Sequence, residues 1–319
     1  MLRCLVSLLV LALISCFTPA ESASDVDPAL PDYRPPATPL AGKVISVGSD
    51  ALNNLMTFWA EGFQAAHPPV SIQIQEKGGS TAGAALLSGV AQIGTTARPL
   101  SEDEIEAITR QWGYPPTRIL VAFDAVCVFV HKDNPVPSLT LAQVDAAFST
   151  TRTRGGNIVA TWGDLGLHGE WAAQQLTLLG RNHASGTYGF FKQRVLERGE
   201  FKPTLREQAG SRMLVESVAA DRGGIGFTGL GSAAPGVRAV PLADLDGIAI
   251  EASADQVRAG RYPLQRSFFL YVNRPPGGAP LIDAFLAFVL SRQGQEVVAK
   301  DGYLPLTADM AAEQQRSLK

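Results

Sequence analysis

The segment RILVAFDAVCVFVH, residues 118–131, is the longest run of β-favouring residues in the chain. It is longer than a typical strand, which has about five or six residues. A second run of the same kind, PLQRSFFLYVN, occupies residues 263–273. Two long strands that bracket a block of other elements predict two lobes, with the chain crossing between them twice and returning to the first lobe.

On both sides of residues 118–131, short apolar runs alternate with amphipathic segments. This alternation is typical of α/β architecture. One helix start is marked by a serine followed three residues later by a glutamate, Ser101 and Glu104, which is the pattern of a capping box. We therefore predict an α/β fold whose first lobe contains residues 43–125 and 265–319 and whose second lobe contains residues 126–264.

The composition excludes several classes of protein. The 319 residues are 46% hydrophobic and 18% charged, so the chain is neither disordered nor fibrous. Its formal net charge of −3 gives no basic field, and we predict no nucleic-acid partner. Three cysteines are too few for a disulfide framework, and the four histidines have no metal-binding spacing. We predict no metal and no cofactor.

The first twenty residues, MLRCLVSLLVLALISCFTPA, predict export. One positive charge precedes an apolar run that is too short for a bilayer, which needs about 20 residues, but suits a secretory signal. Two cleavage sites remain open, an ordinary one after TPA at 18–20 and a lipobox-like LISC at 13–16. We favour lipidation of Cys16, because residues 24–42 contain five prolines and no apolar period, as in an unpacked spacer.

These features predict a signal peptide over residues 1–15 and a Pro-rich tether over residues 16–42. The mature protein is then periplasmic, or a lipoprotein facing the periplasm or the outside. Its contact with the membrane is limited to the lipid anchor.

Three segments share one local design, in which a strand ends, a turn of small and hydroxyl residues follows, and a helix begins: GSD at 48–50, GGST at 78–81 and ASGT at 184–187. A helix N-terminus exposes unpaired N–H groups and a partial positive charge, which favour an anion. Each turn alone is also explained as an ordinary helix cap. Because the three occur in both lobes, we predict a shared anion site. Arg181 supplies a charge that can bind an oxyanion bidentately, although a surface salt bridge explains it equally well.

The chain resembles the phosphate-binding branch of the periplasmic (type II) substrate-binding proteins, the receptors of ABC phosphate transporters. The resemblance covers about residues 43–307 and implies a two-lobed type II periplasmic-binding-protein fold with two crossover strands and a ligand cleft between the lobes. It also implies a monomer that is not an enzyme and delivers inorganic phosphate to ABC permease subunits. The motifs are GSDALNNLMTFWAEGF (48–63), EKGGSTAGAALLSGVAQIGTTARPLSEDE (76–104), DAVCVFVHKDNP (124–135), GRNHASGTYGFFKQRVL (180–196), GGIGF (223–227), YPLQRSFFLYVN (262–273) and SRQGQEVVAKDGYLPL (291–306).

The resemblance further implies which residues bind the ligand. The family's hydroxyl, arginine and SGT positions are matched by Ser49, Ser80, Arg181, Ser185, Gly186 and Thr187, and Thr96 falls where many relatives have serine. The predicted shell also includes Asp50, Gly79, Thr81, Arg98 and His183.

Two departures from the family pattern bear on selectivity. Well-studied members have aspartate directly after the serine, where this chain has Ala97, and often have an acidic residue at the position of His183. A carboxylate accepts a hydrogen bond from the P–OH group of phosphate and repels sulfate. We expect Asp50 or Asp124 to replace the missing acceptor, with neutral His183 as a third candidate.

Three alternative functions stay open. The missing aspartate makes a receptor or sensor for another oxyanion possible, with sulfate, molybdate or an organic phosphate as ligand. A sensor that partners with a signalling receptor is a second alternative and shares these sequence features with a transport receptor. A secreted phosphate-ester hydrolase is disfavoured, because no GxSxG turn and no carboxylate–histidine cluster is present.

Overall fold

The computed structural model describes residues 26–183, 185–243 and 246–318. The predicted signal peptide and the predicted lipidation site, Cys16, lie outside this range. Within it, every helix is too short or too polar to span a bilayer.

Twelve strands and ten α-helices are present in the described residues. The strands are β1 (Gly42–Gly48), β2 (Val70–Glu76), β3 (Ile93–Thr96), β4 (Thr117–His131), β5 (Leu139–Thr140), β6 (Thr177–Arg181), β7 (Arg206–Gln208), β8 (Gly224–Gly229), β9 (Val237–Ala239), β10 (Leu242–Ala243), β11 (Ala249–Ile250) and β12 (Gln265–Val272). The helices are α1 (Asn53–Ala66), α2 (Ala82–Leu87), α3 (Glu102–Trp112), α4 (Leu141–Phe148), α5 (Gly186–Arg194), α6 (Ser211–Ala219), α7 (Ala254–Arg258), α8 (Pro280–Val289), α9 (Arg292–Lys300) and α10 (Ala308–Arg316).

The long strand β4 joins the two halves of the main sheet, whose order is β2-β1-β3-β12-β4-β8-β6-β7, with β9 also on β4. Residues 117–125 of β4 pair with β12, and residues 126–131 pair with β8 and β9. We call the two parts the first half-sheet (β2, β1, β3, β12) and the second half-sheet (β8, β9, β6, β7). The predicted α/β fold and its two long strands are confirmed.

Local sequence explains several of these elements. The serine–glutamate pair at the start of α3 forms the predicted capping box. Residues 121–130 of β4 are all buried, which is why they read as a nearly continuous apolar run. Cys127 lies within this run, and burial raises the pKa of its thiol, as expected for a core cysteine. Asp124 is the only acidic side chain in the run.

Residues 26–33 of the Pro-rich segment pack against the body, so the prediction of an unpacked spacer is wrong there, whereas residues 34–39 are all exposed. Leu30 is buried in the core. Tyr33 Oη lies 2.7 Å from His67 Nε2, and an Asp27 carboxylate oxygen accepts from the first N–H of α10. Prolines fix the local backbone but leave the intervening side chains free to reach a neighbouring surface. We call residues 26–34 the N-terminal strap.

Candidate ligand-binding site

Two adjoining cavities lie where the first and second half-sheets meet. The Arg181 cavity, about 400 Å³, is lined by the end of β6, the start of α5, the turn after β1 and residues 301–303. The Ser80 cavity, about 840 Å³, adds the turn after β2 and residues 97–99. Both are lined by Asp50, Ala51, Ser185, Gly186 and Arg266, so they are adjacent, and we call the two together the cleft.

The turn after β1 brings Ser49 and Asp50 to this cleft. A Cβ on Gly48 would lie 2.2 Å from the carbonyl oxygen of Thr95, so only glycine allows β1 and β3 to approach this closely. The Ser49 N–H donates to the same carbonyl at 2.9 Å. Although Ser49 stands in the cap position of a short helical turn, its side chain makes no capping hydrogen bond. The ordinary-cap explanation therefore does not account for this hydroxyl.

The second half-sheet contributes a cation and a helix N-terminus. Arg181 ends β6, and its Nη1 donates to Ser211 Oγ at 2.6 Å. Its Nε is buried and has no hydrogen-bond partner among the described residues. Burial lowers the pKa of the guanidinium, which nevertheless stays charged. A buried N–H without a partner costs about 1–3 kcal/mol, so the described residues leave part of the hydrogen-bonding capacity of this guanidinium unused.

Helix α5 begins in the same place. Ser185 Oγ caps it by accepting from the Thr187 N–H at 3.2 Å. The capping explanation is thus correct for this serine, yet the helix N-terminus still lines the Arg181 cavity. A Cβ on Gly186 would lie 3.2 Å from the Ala51 Cβ, so the two halves are in contact here.

The floor of the cleft is a buried ion pair between the two long strands. Asp124 on β4 and Arg266 on β12 are register partners, with side chains 2% and 7% exposed. Arg266 Nε and Nη2 lie 2.8 and 2.7 Å from Asp124 Oδ2.

A second carboxyl group, Asp301, lies beside this pair. It follows α9, and its Oδ2 is buried without a partner among the described residues. Burial raises its pKa to about 6, a hydrogen bond with Asn54 acts against this, and the charge of Asp124 adds to it. Next to it, Tyr303 Oη donates to the Ala51 carbonyl at 3.0 Å, and burial raises the pKa of this phenol.

The structure divides the predicted shell into three groups. Lining the Arg181 cavity are Asp50, Arg181, Ser185, Gly186 and Thr187. Lining only the Ser80 cavity are Ser49, Gly79, Ser80, Arg98 and His183. Thr81 and Thr96 line neither cavity.

Hydrogen bonds to nearby backbone carbonyls explain why Thr81 and Thr96 line neither cavity. Thr81 Oγ1 donates to the Gly78 carbonyl at 2.8 Å. Thr96 is fully buried and donates to the Arg98 carbonyl. Their hydroxyls already have acceptors within their own turns, which is why neither reaches the cleft.

Two members of the shell, Arg98 and His183, lie at the rim. Arg98 pairs with Glu104, Nη1 to Oε2 at 2.9 Å, which offsets part of its charge. The His183 side chain is 82% exposed, and its Nδ1 lies 3.7 Å from a Glu207 carboxylate oxygen. Neither faces the buried part of the cleft.

The cleft also contains Arg266, Asp301 and Tyr303, which the predicted shell does not include. A signal for the ion pair was present, because Asp124 is the only acidic residue in 118–131 and Arg266 the only charged residue in 263–273. Opposite charges in two long apolar strands indicate a pair if the strands are neighbours. The described residues contain no group of three His, Cys, Asp or Glu side chains arranged to hold a metal ion.

The chain is similar in sequence to proteins of known family. The profile of the PBP superfamily domain matches residues 34–293. The phosphate-binding protein PstS of Pseudomonas aeruginosa is 47% identical over 296 residues, covering 92% of this chain and 91% of that protein. This chain belongs to the PstS family. The more distant SphX protein of Synechococcus elongatus is 28% identical over 275 residues, covering 83% of this chain and 78% of that protein.

Solved structures agree with the PstS assignment at the level of fold. A possible phosphate-binding protein from Planctomyces limnophilus superposes with a TM-score of 0.76 at 21% identity, covering 88% of this chain and 98% of that one. An ABC-type phosphate transport receptor from Vibrio cholerae gives 0.64 at 22% identity, covering 82% and 100%. The resemblance found in the motifs and the two-lobed fold are therefore confirmed. Which residues of this PstS-family chain bind the ligand stays a prediction.

Proposed function

We infer that this chain is an extracytoplasmic receptor that binds inorganic phosphate between its lobes and delivers it to an ABC importer. The observation that carries this inference is Arg181, which lines a cavity shared with the N-terminus of α5 and whose buried Nε has no hydrogen-bond partner among the described residues. Membership of the PstS family supports phosphate as the anion. The receptor acts as an exported monomer, on the periplasmic or outer face of the membrane, and Cys16 is its site of lipidation.

Binding requires no bond to be broken. The Arg181 guanidinium and the α5 N-terminus offset the charge of the anion, and the hydroxyls of Thr187, Ser211 and Ser232 line the same cavity. We therefore propose a receptor role rather than phosphate-ester hydrolysis.

Closure of two lobes is the second part of the proposal. We assign residues 43–125 with 265–319 to one lobe and residues 126–264 to the other. The turn at Asp50 and the start of α5 at Gly186 come from different lobes and touch, with 3.3 Å between the Asp50 Oδ2 and a Cβ built on Gly186. A phosphate in the Arg181 cavity contacts both lobes and so stabilises the closed arrangement.

Selectivity against sulfate requires an acceptor for the P–OH group. Of the three candidates, His183 is the least suitable, because its side chain is exposed and faces Glu207. Asp50 and Asp124 both line the Arg181 cavity. Asp124 is held by Arg266 through one oxygen, Oδ2. We therefore propose Asp50 and Asp124 as the acceptors.

Calorimetric titration of the purified protein tests this function, after unfolding and refolding remove carried-over ligand. We expect tight phosphate binding and no heat with sulfate at pH 5.5 and pH 8. Equal binding of both anions would contradict the selectivity and favour a general oxyanion receptor. No heat with either anion would contradict the phosphate receptor, and a phosphatase assay with divalent metals would then test the hydrolase.

A further inference from the structure

Arg266 makes contacts with both halves of the molecule. It belongs to β12 in the first half-sheet, and its Nε and Nη2 bind Asp124. Its remaining terminal nitrogen, Nη1, donates to the carbonyl oxygen of Gly186 at 3.4 Å. Gly186 is the first residue of α5, the helix whose N-terminus lines the Arg181 cavity.

Two aromatic rings also lie close to the same guanidinium. The ring of Phe190 in α5 lies 4.8 Å from the Arg266 Cζ, and the ring of Phe268 in β12 lies 5.2 Å from it. Gly186 and Phe190 are four residues apart, so both contacts fall on one side of α5. Arg266 is thus tied to the opposite half at two points of a single helix.

We propose that Arg266 is a positioning residue for ligand binding, which holds the start of α5 against the first half-sheet so that residues 185–187 face Asp50 across the cavity. This inference rests on the proposed function. Asp124 supplies the counter-charge that a buried guanidinium needs and fixes its direction. The rigid fork of arginine suits this role, because its nitrogens point to Asp124 and Gly186 in fixed directions, whereas a lysine ammonium is a point charge on a flexible chain.

A purely structural ion pair between β4 and β12 is the competing explanation. In that case the contacts to α5 are incidental, and their loss changes stability alone. Phe190 separates the two explanations, because it touches Arg266 from the second half and takes no part in the ion pair. A matched control is Phe201, which packs on Tyr188 at 4.6 Å between ring centroids and does not stack on Arg266.

The experiment compares Arg266→Lys, Phe190→Leu and Phe201→Leu with the wild-type protein, each full-length and freed of ligand. Phosphate affinity is measured by calorimetry, the change in radius of gyration on adding phosphate by X-ray scattering, and stability by thermal unfolding. We expect Arg266→Lys and Phe190→Leu to weaken phosphate binding about fivefold or more and to reduce the compaction on binding. Phe201→Leu should lower the melting temperature but leave the affinity within about twofold.

The outcomes separate this inference from the proposed function. If Phe190→Leu and Arg266→Lys bind phosphate as tightly as Phe201→Leu does, the positioning role is wrong and the pair is structural. If the wild-type protein binds no phosphate, the proposed function itself fails, and the positioning role fails with it.

Discussion

The two arginines of the cleft differ in how many of their nitrogens have a hydrogen-bond partner in the protein. Arg266 has a partner for every nitrogen, whereas Arg181 donates to Ser211 and to the Ala209 carbonyl through its terminal nitrogens and has no partner for its buried Nε among the described residues. The first arginine is thus engaged by the protein, and the second remains available for an anion. This difference supports the separate roles that we propose for the two arginines.

Replacing Arg181 tests its role directly. We expect Arg181→Ala to weaken phosphate binding about 100-fold, because a hydrogen bond between charged groups contributes about 1.5–3 kcal/mol. Arg181→Lys should recover only part of this, since an ammonium group lacks the bidentate fork. Isothermal titration measures both constants. A phosphate affinity of Arg181→Ala equal to that of the wild-type protein would show that Arg181 does not bind the anion.

The raised pKa of the Asp301 carboxyl group makes the free energy of unfolding depend on pH. Its pKa in the folded protein is about 6, above the usual value of 3.8, so the folded state holds this proton more tightly than the unfolded state. The free energy of unfolding therefore falls as the pH rises from about 4 to about 6, and the loss remains at higher pH. We expect Asp301→Asn to raise the melting temperature at pH 8 and to have little effect at pH 4.

Thermal unfolding at the two pH values measures this effect. The control is Glu296→Gln, which removes an exposed carboxylate from α9, the helix that Asp301 follows. An equal gain for both variants, or a gain for Asp301→Asn at pH 4, would contradict the burial argument.

At the scale of secondary-structure elements, the close approach of β1 to β3 at Gly48 fixes the position of the turn that contains Ser49. Because a Cβ at Gly48 would lie 2.2 Å from the Thr95 carbonyl, we expect Gly48→Ala to destabilise the fold by about 2–4 kcal/mol and to weaken phosphate binding. The control is Gly89→Ala, whose φ is +71° but whose Cβ meets nothing within 4 Å; it should cost about 1 kcal/mol. Urea unfolding measures both, and equal losses would contradict the steric argument.

At the scale of the whole molecule, the N-terminal strap stabilises the body without touching the cleft. Leu30→Ala should cost about 2–4 kcal/mol, because the buried side chain leaves a cavity. Phosphate affinity should stay unchanged, since no strap residue lines either cavity. Leu87→Ala, at a side chain 37% exposed, is the control and should cost below about 1 kcal/mol. Denaturant unfolding measures the stability of both variants, and calorimetry measures their phosphate affinity. An unchanged stability of Leu30→Ala would support the prediction of an unpacked spacer.

Sequence alone determined the features that depend on neighbouring residues. The capping box at Ser101, the cap at Ser185 and the burial of residues 121–130 follow from residues only a few positions apart. The order of separated motifs identified the family. These local signals act through backbone hydrogen bonds and side-chain periodicity, which the chain carries wherever the rest of it folds.

Only the tertiary structure decided which polar groups share the cleft. Asp124 and Arg266 are 142 positions apart, and the register of β4 against β12 brings them together. The same packing leaves His183 exposed at the rim, buries the Thr96 hydroxyl in its own turn and seats Leu30 in the core. Strand register and surface complementarity are properties of distant segments in contact, so local sequence patterns do not specify them.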